Sequence, residues 1–227
     1  MRVLAIDTAL AACSAAVLDT EYGGILASES LPMTRGHAEA LMPLIARLMD
    51  ASRMALRHID RVAVTTGPGS FTGLRVGIAA ARGIALATDK LAVGLSTLSA
   101  YAAPHIAADA TAQVVAAIDA RHEYVYLQVF APGGRALTAP RLAPLREAVR
   151  AAAATPSRIV GSAAQSIAAA LTGADPVPVA VDASAAPDIV WVARMGAVVP
   201  EDQSPPRPQY LRAPDAQPQN AAQLPRR

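Results

Sequence analysis

The chain has 227 residues, 53% of them apolar and 4% aromatic, with a formal net charge of +2. That length suits one large or two small domains with a sizeable core, and so small a charge excludes a protein that holds nucleic acid through a broad basic patch of its own. Cys13 is the single cysteine, which excludes an internal disulfide and a cysteine metal cluster, fits a reducing compartment and leaves a small buried hydrophobe.

The opening MRVLAIDTALAACSAAVLD superficially resembles a secretion signal, but Asp7 interrupts its apolar stretch. No charge-free apolar run is long enough to span a bilayer, so the expectation is a cytoplasmic protein with no membrane association. VLAIDT and CSAAVLD predict two strands joined by a polar turn. A helix follows, with Leu41, Leu44, Ile45, Leu48 and Met49 at helical spacing and Pro43 tolerated early. RVAVTTG predicts a short buried strand. It leads into the glycine loop GPGSFTG and a helix to about Thr88, and LAVGLSTLSAYAAPHIA gives one more strand and helix.

From about residue 112 the pattern repeats. QVVAAIDARHEYVYLQVF is again strand, Ile-Asp, turn, strand, with Asp119 where Asp7 falls, and SRIVGSAAQSIAAALT is a shorter strand–glycine–helix. The chain therefore reads as a degenerate duplication. The expected division is a first lobe at 1–107, a reduced second lobe at 108–203 that ends in the helix APDIVWVARMGAVV, and a tail at 204–227. That tail is too rich in proline and glutamine to fill a core, and is expected to be extended, and disordered beyond Arg212.

The glycine loop is the first candidate for chemistry. A Walker loop ends in Gly-Lys-Ser/Thr, but here the sequence is Gly73-Leu74-Arg75, so that reading fails. A glycine loop entering a helix still offers free N–H groups and the positive end of a helix dipole, to which Ser70 and Thr72 could add hydroxyls. Packing is the competing explanation. Gly67 and Gly69 would permit a tight turn, and Gly73, Gly77 and Gly83 close helix approach. Asp7 and Asp119 end their strands, where a carboxylate either holds hydrated magnesium beside phosphates or caps a turn. The candidate phosphate or nucleotide set is Asp7, Thr8, Gly69, Ser70, Thr72 and Asp119. Among His37, His58, His105 and His122 no pair has i,i+4 spacing, so no metal site is expected. Ser70 is not in a nucleophile elbow. The helix after the loop is thin on more than one side, through Gly77, Ala80, Ala81 and Gly83, which would let a second backbone come close.

These stretches carry a resemblance. MRVLAIDTALAACSAAVLD, GPGSFTGLRVGIAAARGIALA with GLSTLSAYA, VVAAIDARHEYVY and PQYLR occur in order over about 210 residues, and together they resemble the TsaB (YeaZ) family of tRNA threonylcarbamoyladenosine biosynthesis. The resemblance implies the two-lobed α/β fold of actin, Hsp70 and sugar kinases (the ASKHA fold) with a reduced second lobe. It implies a non-catalytic relative of TsaD that lacks the H-x-x-x-H metal pair of that catalytic subunit. Such a protein would act as a scaffold for TsaD, with the ATPase TsaE joining the complex, in modifying the adenosine 3′ of the anticodon in tRNAs that read codons beginning with A.

By matching motif, the docking face would comprise Leu41, Leu44, Ile45 and Leu48 with Gly73, Val76, Gly77, Ala80 and Gly83. Without a partner that face is expected to pair with a second copy as a homodimer. No cofactor is expected on the chain alone; ATP or ADP would sit where subunits of the complex meet. The family pattern D-A-R-x-x-E-x-Y is altered here, with Glu123 one position early, which in a strand would turn it to the other face. The alternative reading is a stand-alone ATPase or small-molecule kinase using Asp7, Asp119 and the glycine loop. A metallopeptidase is disfavoured by the missing histidine pair.

Overall fold

The computed structural model describes residues 1–171, 178–202 and 204–212. It contains two five-stranded mixed sheets with the same internal order. The first comprises β1 (Arg2–Asp7), β2 (Ala12–Asp19), β3 (Gly24–Pro32), β4 (Arg61–Gly67) and β5 (Leu91–Ser96), arranged β3-β2-β1-β4-β5. The second comprises β6 (Gln113–Asp119), β7 (Tyr124–Phe130), β8 (Arg141–Pro144), β9 (Ser157–Val160) and β10 (Ala180–Asp182), arranged β10-β9-β6-β7-β8, the same order read from the other edge. The duplication read from the two Ile-Asp hairpins is thus present strand for strand. Both Asp7 and Asp119 end the central strand of their sheet. This is the two-lobed actin–Hsp70–sugar-kinase architecture expected from the sequence.

The central strands carry apolar runs because both faces are covered. On β1, Leu4 and Ile6 face a core built with α1 (His37–Ser52) and α2 (Phe71–Thr88). Val3 and Ala5 face the opposite side, where α6 (Ile189–Val198) lies. That second face is lined by small residues, Ala5, Ala16 and Ala63, which lets α6 sit so close that a Cβ on Gly196 would run into Ala63.

The helices between the lobes are exchanged. α3 (Thr97–Ala108) follows the first sheet, yet its Leu98, Tyr101 and Ala102 pack with Val114, Ala116, Ile118 and Phe130 of the second. Conversely α6, grouped with the second lobe by its place in the chain, covers the first sheet through Ile189, Val192 and Ala193. α4 (Leu145–Ala153) and α5 (Ala164–Ala170) cover the remaining face of the second sheet. Arg61, 7% exposed, fixes the end of α6 by donating to the carbonyls of Gly196 and Val199 (3.0 Å each) and pairing with Glu201.

Residues 204–212 lie extended across the body: Gly94 N–H donates to Ser204 O (2.8 Å) and Gln209 N–H to Thr66 O (2.7 Å). The rest of the expected tail, 213–227, is outside the described residues. No helix among the described residues is long and apolar enough to cross a membrane.

Candidate functional site

A cleft of about 370 Å³ opens between the lobes. One wall is the glycine loop with the start of α2 (Pro68, Gly69, Ser70, Phe71), the second is the β6–β7 turn (Asp119, Ala120, Arg121), and the third is the tail (Gln209 to Arg212). Leu10, Ile118 and Tyr126 complete the lining.

The loop takes its shape from the turn after β1. Ser70 N–H donates to Ala9 O (2.7 Å), and Thr8 Oγ1 donates to Gly73 O (2.7 Å). Ser70 Oγ caps α2 by accepting from Gly73 N–H (3.3 Å). A side chain on Gly69 or Gly73 would collide with the carbonyls of Ala9 and Thr8, and one on Gly77 with the Thr8 hydroxyl. These three glycines are therefore required by the backbone that lies against them.

Six candidate phosphate or nucleotide residues separate into three groups. Gly69, Ser70 and Asp119 line the cleft. Asp7 and Thr8 do not: they are 0% and 1% exposed, beneath the loop. Asp7 Oδ1 accepts from Thr65 Oγ1 and from Ala9 N–H (3.1 Å), while its Oδ2 is buried without a hydrogen-bond partner among the described atoms. Burial raises the Asp7 pKa against the opposing effect of the Thr65 and Ala9 hydrogen bonds. Of the two roles open to Asp7, holding magnesium or capping a turn, the structure shows the second: its carboxyl caps a turn in the interior. Thr72 is exposed on α2 and is not part of the lining.

Asp119 repeats the turn-capping arrangement in a more open setting, with Oδ1 accepting from Arg121 N–H (2.9 Å). The turn it begins holds three successive left-handed residues, Arg121, His122 and Glu123 (φ 63°, 51° and 60°). Glu123 lies in this turn, not in the strand, so the change of face expected from its shifted position does not arise. The turn takes up the offset, and β6 and β7 stay in register, Asp119 opposite Val125.

The expected docking residues divide likewise. Leu41, Leu44, Ile45 and Leu48 are at most 2% exposed, packed on the first sheet; Gly73 and Gly77 are buried as well. That stripe is the helix's own core face, because a periodic apolar stripe next to a sheet buries itself there first. Val76 and Ala80 are half-buried and Gly83 is exposed. The outward surface of α1 and α2 carries instead Met42 (49% exposed) and Leu86 (85%).

His37 is buried at the start of α1 and its Nε2 donates to Leu10 O (3.1 Å). His105 Nε2 lies 3.0 Å from Asp182 Oδ2. Sequence reasoning missed Arg121, Tyr126 and Gln209 to Arg212 as cleft residues. The one available signal was PQYLR, a recognisable motif inside a stretch whose composition reads as tail.

A family model described as TsaD, tRNA N6-adenosine threonylcarbamoyltransferase, matches residues 10–178. The chain is 40% identical over 126 residues to the tRNA threonylcarbamoyladenosine biosynthesis protein TsaB of Escherichia coli, covering 56% of this chain and 53% of that protein. It is 37% identical over 126 residues to the Haemophilus influenzae protein of the same name, covering 56% and 52%. These alignments span about half the length of the curated relatives. The solved structure of YeaZ from Pseudomonas aeruginosa matches with a TM-score of 0.74 and 31% identity, over 92% of this chain and 99% of that one.

Proposed function

The chain belongs to the TsaB/YeaZ family, which shares the TsaD-like domain, and from that premise we propose that it is a non-catalytic scaffold subunit of the machinery that makes threonylcarbamoyladenosine in tRNA. Its partner is a TsaD-type catalytic subunit, with a TsaE-type ATPase in the same complex. The target is the adenosine 3′ of the anticodon in tRNAs reading codons that begin with A. ATP or ADP is held where subunits meet, and the free chain pairs with itself through the face it later offers to TsaD.

The observation that carries the scaffold reading is the fate of the first-lobe machinery. Asp7 is consumed as an internal cap, and Gly69 and Gly73 of the loop are filled by the Thr8–Ala9 backbone. The first-lobe carboxylate that a kinase would turn toward a nucleotide is thus spent on packing, and of the loop's candidate ligands only Gly69 and the helix-capping Ser70 reach the cleft. The docking surface is the outward side of α1 and α2, where Met42, Gly83 and Leu86 stand exposed. Burying two such side chains supplies about 1.5–3 kcal/mol each.

The test is calorimetric titration of the purified chain with its cognate TsaD, using the wild type and Met42→Glu/Leu86→Glu. The wild type binds, and the double variant loses about a hundredfold or more in affinity with an unchanged circular dichroism spectrum. Equal binding by the variant overturns the docking face. Magnesium-dependent ATP turnover by the chain alone overturns the scaffold reading in favour of the kinase one.

A further inference from the structure

Residues 204–212 run from the end of α6 across the first lobe to the second, along a path prepared for a bare backbone. β5 is the last strand on its side of the sheet, and its Gly94 N–H is taken by Ser204 O. A Cβ on Gly94 would stand 2.5 Å from Thr66 Cγ2, 2.9 Å from Pro205 O and 3.1 Å from Pro206 Cα. Farther on, Gln209 N–H donates to Thr66 O, and a Cβ on Gly67 would stand 2.8 Å from Gln209 O. Gly67 itself has φ 116°, which a residue with a side chain rarely adopts. Two bare positions, one on the edge strand and one in the glycine loop, are thus covered by the chain's own tail. Pro205, Pro206 and Pro208 hold that tail extended, with φ fixed and no amide donors of their own to satisfy.

The far end is fastened twice. Tyr210 lies against Phe71 at the start of α2, with centroids 5.0 Å apart. Arg75 stacks on the same Phe71 at 3.8 Å and donates from Nε to the Tyr210 hydroxyl (3.0 Å). Arg212 reaches the other lobe and donates from Nη1 to Ala120 O in the β6–β7 turn (3.1 Å). The lobes are already joined by α3, in a core that Leu10, Ile118 and Tyr126 share with the cleft lining. The tail crosses between the lobes at the cleft, which Gln209 to Arg212 line.

We propose that residues 204–212 are a strap that sets the opening between the two lobes, with Tyr210 and Arg212 as its fasteners, and that the cleft widens only when these release. Three elements are coupled by it: the start of the outward-facing helix α2, the glycine loop and the second-lobe turn.

The experiment uses the full chain. Spin labels are placed at Arg57→Cys and Arg146→Cys, exposed positions on opposite lobes, while buried Cys13 stays unlabelled. Interlobe distances are measured by pulsed electron resonance, and amide exchange by NMR. With the strap intact the distance distribution is single and narrow. In Tyr210→Ala/Arg212→Ala it shifts or broadens. The Gln209 and Gly94 amides exchange about tenfold faster, and the Val115 amide in the second core does not change. Tyr210→Phe, which keeps the ring, shifts the distribution less than the double variant. Faster exchange with an unchanged distance distribution overturns the proposal, as does no change in either. If the double variant fails to fold, Arg212→Gln alone must shift the distribution in the same sense, and its failure to do so overturns the proposal equally.

Discussion

Two glycines on one helix separate the packing account of the glycine loop from a ligand account. Gly77 and Gly83 both lie inside α2, so alanine at either returns about 1 kcal/mol of helix propensity. At Gly83 a Cβ would meet nothing within 4 Å. Gly83→Ala should therefore stabilise by about 1 kcal/mol, raising the melting temperature by about 2–4 °C for a chain of this size. At Gly77 the same Cβ runs into Thr8 Oγ1, which is 1% exposed and committed to Gly73 O. Overpacking there costs about 1–3 kcal/mol, and displacing the hydroxyl from its bond costs about 1 kcal/mol more. After the propensity gain, Gly77→Ala should destabilise by about 1–3 kcal/mol, lowering the melting temperature by about 2–12 °C. Thermal melts of the ligand-free chain measure both variants. A Gly77→Ala protein melting at or above wild type would refute the packing account.

Other substitutions probe the interior. Asp7 has a raised pKa through burial, so the native state binds the extra proton. Stability present below the unfolded pKa of about 3.9 is lost as pH rises through the folded value. Asp7→Asn removes that loss, and denaturant titrations at pH 4 and pH 8 should show the variant gaining on wild type at the higher pH; a variant that loses ground there contradicts the assignment. The Cys13 thiol is pushed up to about 11 by burial and by neighbouring Asp7 and Glu29, so a thiol reagent at pH 8 should leave the native chain unmodified and react fully in denaturant. Arg61→Met strands the Gly196 and Val199 carbonyls and should cost about 3 kcal/mol, read as a lower denaturation midpoint. Leu41→Glu should unfold the chain, because it puts an unpaired charge at a position 1% exposed, whereas Leu86→Glu should leave the melting temperature within about 2 °C.

Much of this was legible before the structure. The paired Ile-Asp hairpins announced the duplication, because a strand covered on both faces is apolar throughout and stops abruptly at its first charge. The helical stripe of Leu41, Leu44, Ile45 and Leu48 was equally plain, but its destination was not: the same spacing serves a core and a docking surface, and only the neighbouring sheet decides. Asp7 and Asp119 look alike in sequence and differ in the fold, one sealed beneath Thr8–Ala9 and the other at the cleft edge. The tail is extended over 204–212, as expected, but its contacts with the body were not foreseen. Proline-rich composition rules out a core, yet the strap is held by two backbone hydrogen bonds and by the side chains of Tyr210 and Arg212, about whose partners composition is silent.

The exchange of α3 and α6 has a consequence for how the protein comes into being. The first sheet has all five strands once Ser96 is made, but its Ala5–Ala16–Ala63 face stays bare until α6 arrives. At about 5–20 residues per second, the nascent chain carries that uncovered surface for roughly 5–20 s. Neither half is therefore a separable module. A chaperone that shields the waiting sheet would act on this chain during synthesis, and cutting the gene between the lobes should yield two insoluble pieces where the intact chain gives one cooperative fold.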